Sequence, residues 1–199
     1  MKDTAKQQVC STLAPDGYDW YDCVFEQAKE DGEALGFDIQ DIHFTGFYSQ
    51  GDGASWTGYV HIIPWLEKHY PDDPKAHILI ALMEDNWLEN KIAVSCKGRY
   101  NHSNTMLRSD WYRSLDNFDG GDVLHKGIFE GASVETLVES LPTDYLDDLA
   151  DEMLQSAKDY ADDIYRKLRD EYEYQCGEEV IAEMCDANEY LFTEEGKLI

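Results

Sequence analysis

Apolar side chains recur at helical intervals over residues 143–174. Leu146, Leu149, Met153, Ala157, Ile164, Leu168 and Tyr172 stand three or four positions apart, or at multiples of these, with no Gly or Pro between them. The spacing predicts one long helix, capped by Thr143 or Asp144 after Pro142. Gly177 divides it from a shorter helix over 178–187, and 188–199 reads as an extended end. Near the start of the chain, Val24, Phe25, Ala28 and Leu35 share a helical face, and Gly36 is a stop signal.

The period then changes to two. Ile39, then Ile42, Phe44 and Gly46, predict a strand, residues 50–54 a glycine loop, and Trp56 to Ile63 an antiparallel partner. Pro64, Pro71 and Pro74 punctuate a short helix at Trp65 and Leu66 and a longer one carrying Ile78, Leu79, Leu82 and Met83. Ile92, Val94 and Cys96 alternate in a strand over 91–100. Residues 105–112 pair with it across a turn at Asn101 to Asn104, and a loop follows at 116–121. The fold class expected is α+β: a single domain over 1–199 with two antiparallel hairpins and a long acidic C-terminal helix, the helical third covering about 143–187. No repeat or linker interrupts it.

Charge turns this outline into a functional expectation. The chain carries 42 Asp and Glu against 16 Lys and Arg, a net of −26 on 199 residues. At 43% hydrophobic and 13% aromatic residues it is too apolar for a disordered acidic tail, so the acids decorate a folded body. Such a surface repels nucleic acid and anionic membranes and attracts the proteins that bind them. The excess is uneven, because residues 131–199 alone hold a net of −15. On the long helix stand Asp144, Asp147, Asp148, Asp151, Glu152, Asp159, Asp162, Asp163, Asp170, Glu171 and Glu173. With a rise of about 1.5 Å per residue they space at about one per 4 Å, close to the ~3.4 Å between charges along one DNA strand. Asp147, Asp148, Asp151, Glu152, Asp159, Asp162, Asp163 and Asp170 are therefore the candidate partner-binding residues.

A second candidate surface is the glycine loop, through Tyr48, Ser49, Gln50, Asp52 and Trp56. Phosphate-cradling glycines precede a helix and are helped by Lys, whereas this loop joins two strands, contains Asp52 and has no basic residue. The six histidines form no His-x-x-x-His pair, and the five cysteines show no Cys-x-x-Cys spacing. Residues 116–122 fail as a calcium loop, since aligning Gly121 with the required glycine puts Phe118 and Gly120 in ligand positions. No catalytic, cofactor-binding or metal-ligating residues are assigned and no cofactor is expected. The first residues lack an apolar segment after their lysines, and no apolar run reaches membrane-spanning length. Neither a secretory leader nor a membrane partner is expected.

Four stretches carry a family resemblance: Trp20 to Glu26, Gly46 to Ser55, Gly120-Gly121-Asp122-Val123, and Ala187 to Gly196 with its Ala-Asn-Glu-Tyr start. Through them the chain resembles a group of small bacteriophage proteins labelled hypothetical or "antitoxin of toxin–antitoxin stability system". The resemblance runs from about Gly17 to Gly196 and is least close over 141–160. It implies a phage origin and a place in the cytoplasm of the infected bacterial host. Combined with the charge, the expectation is a phage accessory protein, not an enzyme. It would bind and inhibit a basic, nucleic-acid-binding host or defence protein, with DNA mimicry as one mode. The alternatives are an antitoxin neutralising a toxin, an enzyme of unrecognised mechanism, or a phage structural protein.

Overall fold

The computed structural model describes residues 3–14, 20–96, 105–107 and 121–199, with the strand at 105–107 described by its backbone alone. In chain order the elements are α1 (Asp3–Leu13), α2 (Asp22–Glu33), β1 (Phe37–Thr45), β2 (Gly53–His61), α3 (Ile62–His69), α4 (Pro74–Glu84), β3 (Lys91–Cys96), β4 (Thr105–Leu107), α5 (Val134–Glu139), α6 (Thr143–Gln175) and α7 (Glu178–Ala187). The α+β class holds, with two antiparallel hairpins and the long acidic helix. The chain forms two compact units, residues 28–163 and residues 1–27 with 164–199.

In the unit of residues 28–163 the two hairpins join into one four-stranded antiparallel sheet, ordered β1-β2-β3-β4. Central β2 is buried along most of its length, so Ala54, Ser55 and Trp56 are all enclosed. The β1–β2 register shifts between Ile39 and Asp41, a bulge that brings the Asp38 carbonyl against Gly58. A Cβ on Gly58 would lie 1.9 Å from that oxygen, so only glycine fits. Trp56 anchors the sheet to α6. Its indole Nε1 donates to the Ala157 carbonyl at 3.0 Å, and Phe37 lies between the Trp56 and Tyr160 rings at 5.2 and 5.4 Å. The Tyr160 hydroxyl in turn donates to the Ala28 carbonyl at 2.6 Å. Helix α4 buries Ala76, Leu79, Ala81, Leu82 and Met83, and begins where Asp73 caps the Lys75 amide at 2.9 Å with Pro74 in the first turn.

In the unit of residues 1–27 and 164–199, α1 packs on α7. Ala5, Val9 and Ile181 are buried there, and Trp20 meets Tyr172 at 5.5 Å between ring centroids. The end of the chain folds back through a bridge between Phe192 and Leu198.

Several boundaries differ from the sequence reading. The second strand starts at Gly53 and stops at His61. Ile62 and Ile63 open α3, whose first turn accommodates Pro64 because an early proline forfeits no helical hydrogen bond. Helices α1 and α5 were not anticipated. The turn at 101–104, the strand residues 97–100 and 108–112, and positions 116–120 of the loop lie outside the described residues.

Candidate partner-binding surface

Helix α6 divides its circumference between core and water. Within residues 143–163, Leu146, Leu149, Met153, Ala157 and Tyr160 are buried. Asp144, Asp147, Asp148, Asp151, Glu152, Asp159 and Asp162 are exposed, and Asp163 is half-buried. At about 100° per residue, these eight carboxylates occupy an arc of roughly 160° facing away from the buried side chains. Lys158 falls within the same arc and is the basic residue among them. Asp170 belongs to the other unit. It is exposed, but Arg169 Nη2 reaches it at 3.2 Å, with Arg169 Nε 3.9 Å from Glu173, so that stretch is partly neutralised.

Tyrosines support the edge of the acidic arc. The Tyr70 hydroxyl donates to Glu152 Oε2. Burial, and then that hydrogen-bonded carboxylate, push the Tyr70 phenol up to about 12. The Tyr145 hydroxyl donates to Asp73 Oδ2 at 2.8 Å, and burial followed by Asp73 raises this phenol as well. Asp73 thus serves twice, with Oδ1 on the Lys75 amide and Oδ2 on Tyr145, while the Lys75 ammonium lies 4.8 Å over the Tyr145 ring. His69 stacks on Trp65 at 4.5 Å. Burial and the neighbouring Lys68 charge hold its pKa below the ordinary value, against an opposing pull from Glu152. The proline punctuation ahead of α4 was read from the sequence, but the Asp73 cap was not. The Tyr70 and Tyr145 partnerships were not, because they join residues far apart in the chain.

The glycine loop is a different kind of surface. Tyr48 is 79% exposed, and Ser49 and Gln50 are exposed beside it. Asp52 folds inward: its Oδ2 accepts the amides of Tyr48 at 2.9 Å and Ser49 at 2.6 Å. Paired amides of this kind cradle anions, and here the protein's own carboxylate fills the cradle. Trp56 must be removed from this surface. It lies on β2, fully buried, and its one polar atom is spent on Ala157. It was grouped with the loop by its place in the sequence, but the start of β2 is buried on both faces.

Among the described residues no group of three or more His, Cys, Asp or Glu side chains is arranged to hold a metal, and no helix is long and apolar enough to cross a membrane. The five cysteines are free thiols.

Fold and surface together define an α+β protein whose longest helix presents a carboxylate arc opposite its core face. Residues 20–178 match the family described as Domain of unknown function (DUF8835), and the chain belongs to that family. No curated protein and no solved structure matches it.

Proposed function

We propose that the chain is a bacteriophage accessory protein that binds and inhibits a basic, nucleic-acid-binding protein of the host or its defences, working in the cytoplasm of the infected cell. The observation that carries this reading is the carboxylate arc of α6 over residues 144–163, exposed along its length and opposed to the buried residues that fix its orientation. Its acids repeat along an axis at an interval comparable to that of DNA phosphates, so a cleft lined with Lys and Arg to neutralise phosphates would accept them. Asp147, Asp148, Asp151, Glu152, Asp159 and Asp162 are the contact residues in this reading, with Asp163 at the margin. Asp170 contributes less because Arg169 engages it. The phage resemblance supplies the setting.

The test is capture of partners from infected-host lysate at low and moderate salt, identified by mass spectrometry, followed by association kinetics with the recovered protein. Association should be fast at 0.01 M salt and slow markedly at 0.15 M, as the screening length falls from about 30 to about 8 Å. Charge reversal at Asp147, Asp151, Asp159 and Asp162 should weaken binding more than reversal at Asp31, Glu33, Asp38 and Asp41, and DNA should compete. A partner indifferent to salt, to these reversals and to DNA would refute the reading and move attention to Tyr48, Ser49 and Gln50.

A further inference from the structure

The unit that carries the acidic arc also contains a cavity of about 570 Å3, within the range of about 300–1,000 Å3 that ligand sites occupy. Its walls come from three places: Glu67 and Tyr70 at the end of α3, Ile80 and Glu84 on α4, and Gly127 with Ile128 at a loop tip. The tip is held firmly. Asp85 Oδ2, just beyond α4, accepts the His125 amide at 3.1 Å and the Trp87 indole at 3.1 Å. Leu124 is buried, and the Gly131 amide closes the loop onto the Leu124 carbonyl at 2.8 Å. Gly127 has a φ of +84°, and a Cβ there would stand 3.4 Å from Glu84 Oε2, which puts the Glu84 carboxylate beside the tip.

We infer that this cavity is a receptor for an arginine side chain of the basic partner. The inference rests on the proposed binding of basic proteins for its natural occupant. Its chemistry stands on the cavity. Two wall carboxylates, Glu67 and Glu84, are exposed, and among the described residues neither has a hydrogen-bond or ion-pair partner. Among the described residues no Lys or Arg lines the cavity. The wall histidine His77 has Nε2 committed to the Pro71 carbonyl at 2.8 Å. Lys126, on the same loop, is exposed and is not part of the wall. Ile80, half-buried, and Ile128, 77% exposed, supply apolar surface for an alkyl stem. A guanidinium suits such a place better than an ammonium. It is more weakly hydrated, so partial burial costs less, and its five donors can serve two carboxylates at once. Tyr70 lines the cavity and its hydroxyl donates to Glu152 on α6, so the cavity adjoins the acidic arc and one partner can reach both.

The test uses the full chain, labelled at backbone nitrogen and isoleucine methyls, titrated at constant ionic strength with N-acetyl-arginine-N-methylamide. Saturable shifts are expected at the Ile80 and Ile128 methyls and the Gly127 amide. The citrulline analogue, nearly the same shape without the charge, should give much weaker shifts, as should the lysine analogue. Glu84→Gln and Glu67→Gln should each weaken the response by about fivefold, the upper end for an exposed ion pair. Their spectra away from the cavity should match the parent, which separates a lost contact from a lost fold. Equal responses to citrulline or lysine, indifference to both Gln variants, or shifts along α6 with none at Ile128 would overturn the inference. A partner whose binding still falls on reversal of the α6 acids would then leave the proposed function standing without the cavity. The opposite pattern would retain the cavity and refute the role of α6.

Discussion

Trp56→Phe tests the structure where it departs furthest from the sequence reading. The indole is fully buried, donates to Ala157 at 3.0 Å, and lies 5.2 Å from the Phe37 ring. Phenylalanine keeps a ring against Phe37 but deletes the N–H and two carbons. Two buried carbons represent about 1.6 kcal/mol of transfer free energy. The lost hydrogen bond adds about 0.5–1.5 kcal/mol, toward the low end because a carbonyl within a helix retains its own backbone donor. The expected loss is therefore about 2–3 kcal/mol, against about 3–5 kcal/mol for Trp56→Ala. Urea unfolding followed by far-ultraviolet circular dichroism would show this as a midpoint lowered by about 1–2 M for a typical slope. Two probes should be compared, since two compact units need not unfold together. Tyr48→Ser, at a residue 79% exposed, should stay within about 0.5 kcal/mol of the parent. If Trp56→Phe costs no more than Tyr48→Ser, the indole is not the post between sheet and helix, and its removal from the loop surface is wrong.

Gly58→Ala should cost about 3 kcal/mol or more, because its Cβ would meet the Asp38 carbonyl at 1.9 Å. Gly121→Ala, also at positive φ but with none of the described residues within 4 Å of the added Cβ, should cost clearly less; equal thermal midpoints for the two variants would deny the bulge its close approach. Stability should also fall on both flanks of neutral pH. The lowered pKa of folded His69 makes its contribution full above about 6.5 and lost as pH falls through that value toward the folded pKa, so His69→Gln should flatten the acid flank between about pH 7 and 5.5. The Tyr70 phenol, raised from 10.0 to about 12, stabilises fully below 10 and loses that contribution as pH rises toward 12, and Tyr70→Phe should flatten this flank. Thermal midpoints across pH measure both, and unchanged flanks would show that these groups titrate as they do in the unfolded chain.

What the sequence disclosed follows from how each element is buried. Helix α6 was legible because it is long and wet on one side, so its apolar period persists over many turns. Hairpin β1–β2 was legible from the glycine loop and the period on β1, but the start of β2 was not, because a strand covered on both faces loses its alternation. Helix α1 rests on little more than Ala5 and Val9, and α5, six residues long, on Val134 and Leu137; two buried residues make no period. The exposed acids of α6 followed from its apolar stripe. The cavity did not, since Glu67, Glu84 and Gly127 come from three separate segments that only the fold brings together.

The divided circumference of α6 also constrains how this protein can change over generations. On its wet side over residues 143–163, Asp and Glu can exchange, move by a turn or disappear one at a time, and the helix still seats. Insertion or deletion of a single residue is a different matter. It would rotate everything beyond it by about 100°, swinging carboxylates toward the sheet and leucines toward water. Descendants adapting to a new partner are thus expected to rewrite the letters of this segment freely while leaving its length untouched.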